Sequence, residues 1–107
     1  MPKLPEYVYI FCRKDLSKEQ CIVQTGHACM EAGIYFGKKT ASPYYFCLLE
    51  VENECILKEV MRWLSTETNI QYRAFNEPDQ FSEFTALATE PVKSDQRKLF
   101  KHFKTFK

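Results

Sequence analysis

Gln20, Gln24, His27 and Glu31 recur at intervals of four, three and four residues, the spacing that aligns side chains along one stripe of an α-helix. Such a stripe is either a solvated face or one wall of a site. Just before it stand Arg13, Lys14 and Lys18, beside the free backbone amides of a helix that begins near Ser17, an arrangement suited to anions. A second group of reactive types lies far along the chain, where Glu77 and Asp79 precede Thr85. Read structurally, Glu77-Pro78-Asp79 is a charged turn and Thr85 a strand former. Read chemically, a carboxylate and a hydroxyl brought to a basic helix N-terminus orient water for attack on an ester. Nucleophilic catalysis has less to draw on. There is no G-x-S-x-G elbow, and Cys29 with His27 on one helix makes a weak dyad.

These residues need elements to position them. The run Tyr7-Val8-Tyr9-Ile10-Phe11-Cys12 is apolar without alternation and predicts a central strand buried on both faces. Ser17-Lys18-Glu19-Gln20 fits a capping box, opening a helix of about five turns whose apolar positions are Cys21, Val23, Ala28, Cys29, Ala32 and Tyr35. Pro43 to Leu49 predicts a second buried strand. Asn53 can cap a helix with Ile56, Leu57, Val60, Met61 and Leu64 on one stripe. Ile70, Tyr72 and Ala74 alternate with polar residues as in a half-buried strand, and after a turn-rich loop at 76–80 Phe84, Ala86 and Ala88 alternate with Thr85, Leu87 and Thr89 in another. Ser94 is expected to cap a last helix carrying Leu99, Phe100 and Phe103.

The order β-α-β-α-β-β-α implies an α/β fold, a three-layer α/β/α sandwich on a four-stranded mixed sheet, with the first strands parallel and a hairpin adding an antiparallel one. In such open sheets ligands sit beyond the strand ends, a description met by residues 13–27 and 76–85.

At 107 residues and 45% hydrophobic content, the chain is expected to fold as one domain spanning 1–107 and not as a disordered tail. The net charge of +1 says nothing about a polyanionic partner, but its distribution does. Lys93, Arg97, Lys98, Lys101, Lys104 and Lys107 face only Asp95 in the last fifteen residues, leaving the rest net negative. Such an end is either a solvated basic face or a contact for phosphates. The five cysteines, at 12, 21, 29, 47 and 55, show neither C-x-x-C nor metal spacing and read as small apolar residues in a reducing compartment. With no apolar run long enough for a signal peptide or membrane span, a cytoplasmic protein without membrane contact is expected.

Tyr7 to Leu16, with Arg13-Lys14-Asp15-Leu16 at its end, followed by Val23-Gln24-Thr25-Gly26-His27-Ala28, resembles the archaeal and eukaryotic (type II) peptidyl-tRNA hydrolases. Those proteins open with an apolar strand, an Arg-x-Asp-Leu turn and a helix marked A-Q-x-x-H-A. Phe84-Thr85-Ala86-Leu87-Ala88 is similar to their strand beginning T-x-x-x-I, with Glu77 where an acidic residue precedes it, and the end from Phe100 to Lys107 is similar to the tail of a divergent eukaryotic branch. The resemblance spans nearly the whole chain. It implies hydrolysis of the ester between a peptide and the terminal ribose of tRNA, without metal or organic cofactor, and frequently in a homodimer. Carried over, Gln24, Glu77 and Thr85 are catalytic positions, and His27 stands by the tRNA end.

One departure stands out: the family helix reads K-x-x-x-Q, whereas Gln20 occupies the lysine position here. A cation stabilising the oxyanion lowers the barrier, and losing one such contact raises it by roughly 3 to 4 kcal/mol. Lys14 or Lys18 is the expected substitute, although Lys18 points about 200° around the helix from Gln20. Two functions follow. One is an esterase in which Arg13, Lys14, Lys18 and the tail residues Lys98 and Lys101 hold tRNA. The other is an adaptor that binds tRNA or protein without turnover, resting on Gln20 and on the basic end, whose Lys98, Lys101 and Lys104 would track a phosphate backbone while Phe100 and Phe103 face the core.

Overall fold

Tyr7–Arg13 forms β1, which fills the middle of the sheet as its unbroken apolar run requires. The computed structural model describes residues 6–37, 44–77 and 83–106. From β1 the chain continues through α1 (Lys18–Phe36), β2 (Tyr45–Val51), α2 (Glu54–Glu67), β3 (Tyr72–Glu77), β4 (Glu83–Thr89) and a 3-10 helix over Ser94–Phe100. The result is an α/β fold with a four-stranded mixed sheet in the order β2-β1-β4-β3. β1 runs parallel to β2 and antiparallel to β4, which in turn pairs antiparallel with β3.

Pleating divides β1 between two cores, because successive side chains point to opposite faces. Tyr9 and Phe11 join Leu49, Leu57, Leu64, Leu87 and Phe100 under α2 and the 3-10 helix. Val8, Ile10 and Cys12 join Cys21, Ala28, Ala32, Ala86 and Ala88 under α1. Both helices start where their side chains cap them. Ser17 and Gln20 close the full capping box on α1, and Asn53 Oδ1 accepts from the Ile56 amide at 3.0 Å on α2.

Four expectations change. β2 is an edge strand, with Tyr45 53% and Phe46 63% exposed, because α1 lies over β1, β3 and β4 instead. Its outer side is partly closed by the chain's last described residues: the Glu50 amide donates to the Lys104 carbonyl and the Phe106 amide to the Leu48 carbonyl, both at 2.9 Å. On α1, Val23 and Tyr35 are exposed and Gln24 is buried in their stead, so the face toward the sheet is Cys21, Gln24, Ala28 and Ala32. The last helix is a 3-10 turn preceded by Lys93, with no side-chain cap, and Ser94 sits inside it.

The fourth change concerns β4. Phe75 pairs with Ala86 and Asn76 with Phe84, so β4 spends one extra residue, Thr85, on a β-bulge. A simple alternation would put Phe84 on the face of Ala86 and Ala88. The bulge inverts it: Phe84 packs into the α2 core, and Thr85 turns with Ala86 toward α1. β4 is consequently buried on both faces from Thr85 to Thr89.

Candidate active site

Gln24 and Thr85 meet across the interface that the bulge creates. The Thr85 hydroxyl donates to Gln24 Oε1 at 2.8 Å, a shorter path than its 3.5 Å approach to the Phe75 carbonyl. Gln24 Nε2 donates to Glu77 Oε2 at 3.0 Å. The carboxylate therefore fixes the amide, since a reversed Gln24 would set its carbonyl oxygen against an anion. Gln24 and Thr85 are buried, while Glu77 is half-buried at the end of β3. The chain of bonds thus runs from inside the protein to its rim, and a hydroxyl, an amide and a carboxylate in this order can hold and polarise a water or a sugar hydroxyl.

Asn76 and Glu77, expected in a loop from their turn-forming neighbours, both belong to β3. Residues 78–80 of that expected loop, Asp79 included, lie outside the described residues.

The remaining stripe of α1 faces the same strand. His27 stacks on Phe75 with ring centroids 4.4 Å apart and planes within 5°, and Glu31 reaches Arg73 at 3.6 Å. Three to four helical residues rise about 5 Å and two strand residues about 6.6 Å, so Gln24, His27 and Glu31 fall into step with Glu77, Phe75 and Arg73. Arg73 and Phe75 were not singled out from the sequence. Their signal was the β3 alternation itself, whose supposedly solvent-facing set is the one that meets α1. Arg73 also lies over the Tyr35 ring at 3.8 Å.

The expected cations behave differently from one another. Arg13 is buried and satisfied internally: Nε and Nη2 bond Asp15 at 3.0 and 2.8 Å, and Nη1 bonds Glu83 Oε2 at 2.8 Å and the Phe84 carbonyl at 3.2 Å. It clamps the β1–α1 turn to the start of β4, and its hydrogen bonds hold the Asp15 carboxyl below the usual carboxylate range. Lys14 approaches Glu50 of β2 at 3.8 Å. Lys18 is exposed on the first turn of α1. Gln20 takes part in the cap, its Oε1 accepting from the Ser17 amide at 3.0 Å. Lys98 and Lys101 belong to the segment that packs on the α2 face, across the sheet from Thr85.

All five cysteines are free. Cys12 and Cys21 both direct their thiols to the Arg13 carbonyl, and burial pushes the Cys12 and Cys29 thiols up, away from the nucleophilic thiolate. Among the described residues, no three His, Cys, Asp or Glu side chains gather so as to hold a metal ion, and no helix is long and apolar enough to cross a membrane. No protein-family model matches the chain, and no curated protein matches it.

Proposed function

We propose that the protein hydrolyses the ester of peptidyl-tRNA at the rim formed by Gln24, Glu77 and Thr85. The observation that carries this reading is the Thr85–Gln24–Glu77 hydrogen-bond chain, which joins two segments some 50 residues apart in sequence at one end of the sheet. In the reaction Glu77 accepts a proton from the attacking water, Gln24 holds the carboxylate in place, and Thr85 sets the amide. Water adds to the ester carbonyl, the bond to the ribose oxygen breaks, that oxygen takes up the proton Glu77 had accepted, and the peptide and the free tRNA hydroxyl leave with the carboxylate restored. His27, one helical turn along, stands beside the path of the terminal nucleotide. Cytoplasmic translation is the setting that this activity implies, and a homodimer is the assembly the resemblance suggests.

A second reading, an adaptor that binds tRNA or a protein without turnover, draws on Gln20 in the lysine position and on the engagement of two of the candidate cations, Lys14 and Arg13. Gln20 belongs to the helix cap, Lys14 to an ion pair with Glu50, and Arg13 to its clamp. Deacylation of peptidyl-tRNA by the wild type and by Gln20→Lys separates the two. Robust wild-type turnover, lost in Glu77→Ala and Thr85→Ala with tRNA binding retained, supports the esterase. A silent wild type awakened by Gln20→Lys supports the adaptor, and turnover unchanged in both alanine variants removes the assigned roles.

A further inference from the structure

The face of the sheet opposite Gln24 carries a different chemistry. A groove of about 450 Å³ lies there between β2, the 3-10 helix and the following segment. Arg97, Lys98 and Lys101 line it together with the hydroxyl residues Ser94 and Thr105, and no carboxylate stands among its described lining residues. The two lysines are exposed.

Arg97 is held by rings. Its guanidinium lies 3.6 Å over the Tyr7 ring, and Nε donates to the Tyr9 hydroxyl at 3.4 Å. Arg13, by contrast, is locked between two acids. Fixing a guanidinium against aromatic faces lowers the entropy lost when it binds an anion and leaves its charge uncompensated.

The rings form a ladder. Tyr45 stacks on Tyr7 at 5.4 Å, Tyr7 on Tyr9 at 6.2 Å, and Tyr9 on Phe100 at 4.0 Å. The outer member, Tyr45, is more than half exposed. Cations without counter-charges beside an open aromatic ring are what single-stranded nucleic acid requires, since phosphates follow the cations and a base stacks on the ring. An acidic peptide would use the cations and leave Tyr45 idle.

We infer that this groove binds a single-stranded RNA segment, its backbone on Arg97, Lys98 and Lys101 and one base on Tyr45. The site is separate from the Gln24–Thr85–Glu77 rim and does not depend on the ester chemistry proposed there.

The test is a titration of the ¹⁵N-labelled protein with a twelve-residue oligouridylate at low salt, paired with fluorescence anisotropy. Binding in the micromolar range is expected, as for other contacts made to phosphates. Amide shifts should centre on Tyr45, Arg97, Lys98 and Lys101, with Gln24 and Thr85 unmoved. The double variant Lys98→Ala/Lys101→Ala alters only exposed side chains; it should weaken binding about tenfold or more and lower the salt slope by roughly 1.4, at ~0.7 per phosphate contact on a single strand. Tyr45→Ser should weaken binding by about fivefold or more through lost stacking. Absence of binding, shifts centred on Gln24 and Thr85, equal affinity in the double variant, or equal affinity for a polyglutamate peptide would each overturn the assignment.

Discussion

The two faces of the sheet are built from side chains of different size. Toward α2 the buried residues are Phe11, Leu49, Leu57, Leu64, Leu87 and Phe100; toward α1 they are chiefly Cys12, Cys21, Ala28, Ala32, Ala86 and Ala88. Small residues let a helix approach the sheet closely, and at that distance a side chain as short as Thr85 reaches Gln24. Large ones bury more area, at about 1.5–3 kcal/mol for each fully buried aliphatic or Phe side chain. One face supplies most of the stability, and the other gives up apolar area to bring polar groups together.

The largest test of that contrast is Phe11→Ala, which removes a fully buried ring from the α2 core. A loss of about 3–5 kcal/mol is expected, seen as a fall in Tm of about 12 °C or more in thermal denaturation. A fall of one or two degrees would mean the stability resides elsewhere.

On the other face Ala28→Leu should cost about 1–3 kcal/mol by overpacking, and it should also push α1 outward. The side-chain amide resonances of Gln24 would then lose the signature of their bond to Glu77, and the deacylation proposed for this site would fall together with them. Stability lost with those resonances unchanged would break the link between small residues and the hydrogen-bond chain.

Thr85→Val conserves shape and removes the donor to a buried carbonyl oxygen. It should cost about 1–2 kcal/mol in denaturant unfolding, with Thr85→Ser restoring most of it. Equal stability of the valine variant would show that water satisfies Gln24.

The smallest effect belongs to pH. Arg13 lowers the Asp15 pKa below its ordinary 3.8, so the pair stabilises the fold above that value and loses its contribution as pH falls through the lower, folded value. The Asp15 side chain is 40% exposed, so water screens the pair and the contribution is under about 1 kcal/mol. Asp15→Asn should flatten stability against pH in this acid range and lower it slightly at neutrality, as followed by denaturant midpoints.

Strong local signals carried far. The apolar run of β1, the capping box at Ser17 and the Asn53-capped stripe of α2 all lie where the residues imply. The meeting of Gln24 with Glu77 and Thr85, and of Arg13 with Glu83, follows from where these residues stand, near the ends of strands. Harder to read was α1, which is apolar almost all round: Ile22, Val23, Met30 and Ile34 are exposed, so hydrophobicity alone does not select the inner face. β2 reads as a buried strand by composition and lies at the edge because strand order is a long-range property. The bulge at Thr85 carries neither Gly nor Pro to mark it, and only the pairing with β3 shows it.

That extra residue has an effect beyond aiming one hydroxyl. The stretch of β4 after it keeps time with the interior, while Glu83 and Phe84 before it follow the opposite beat, and the Phe84 amide is held by Glu54 of α2 at 3.0 Å. The two phases of one strand therefore serve both layers at once: Phe84 is spent on the α2 side, Thr85 and Ala86 on the α1 side, and Glu83 ahead of them anchors the buried Arg13.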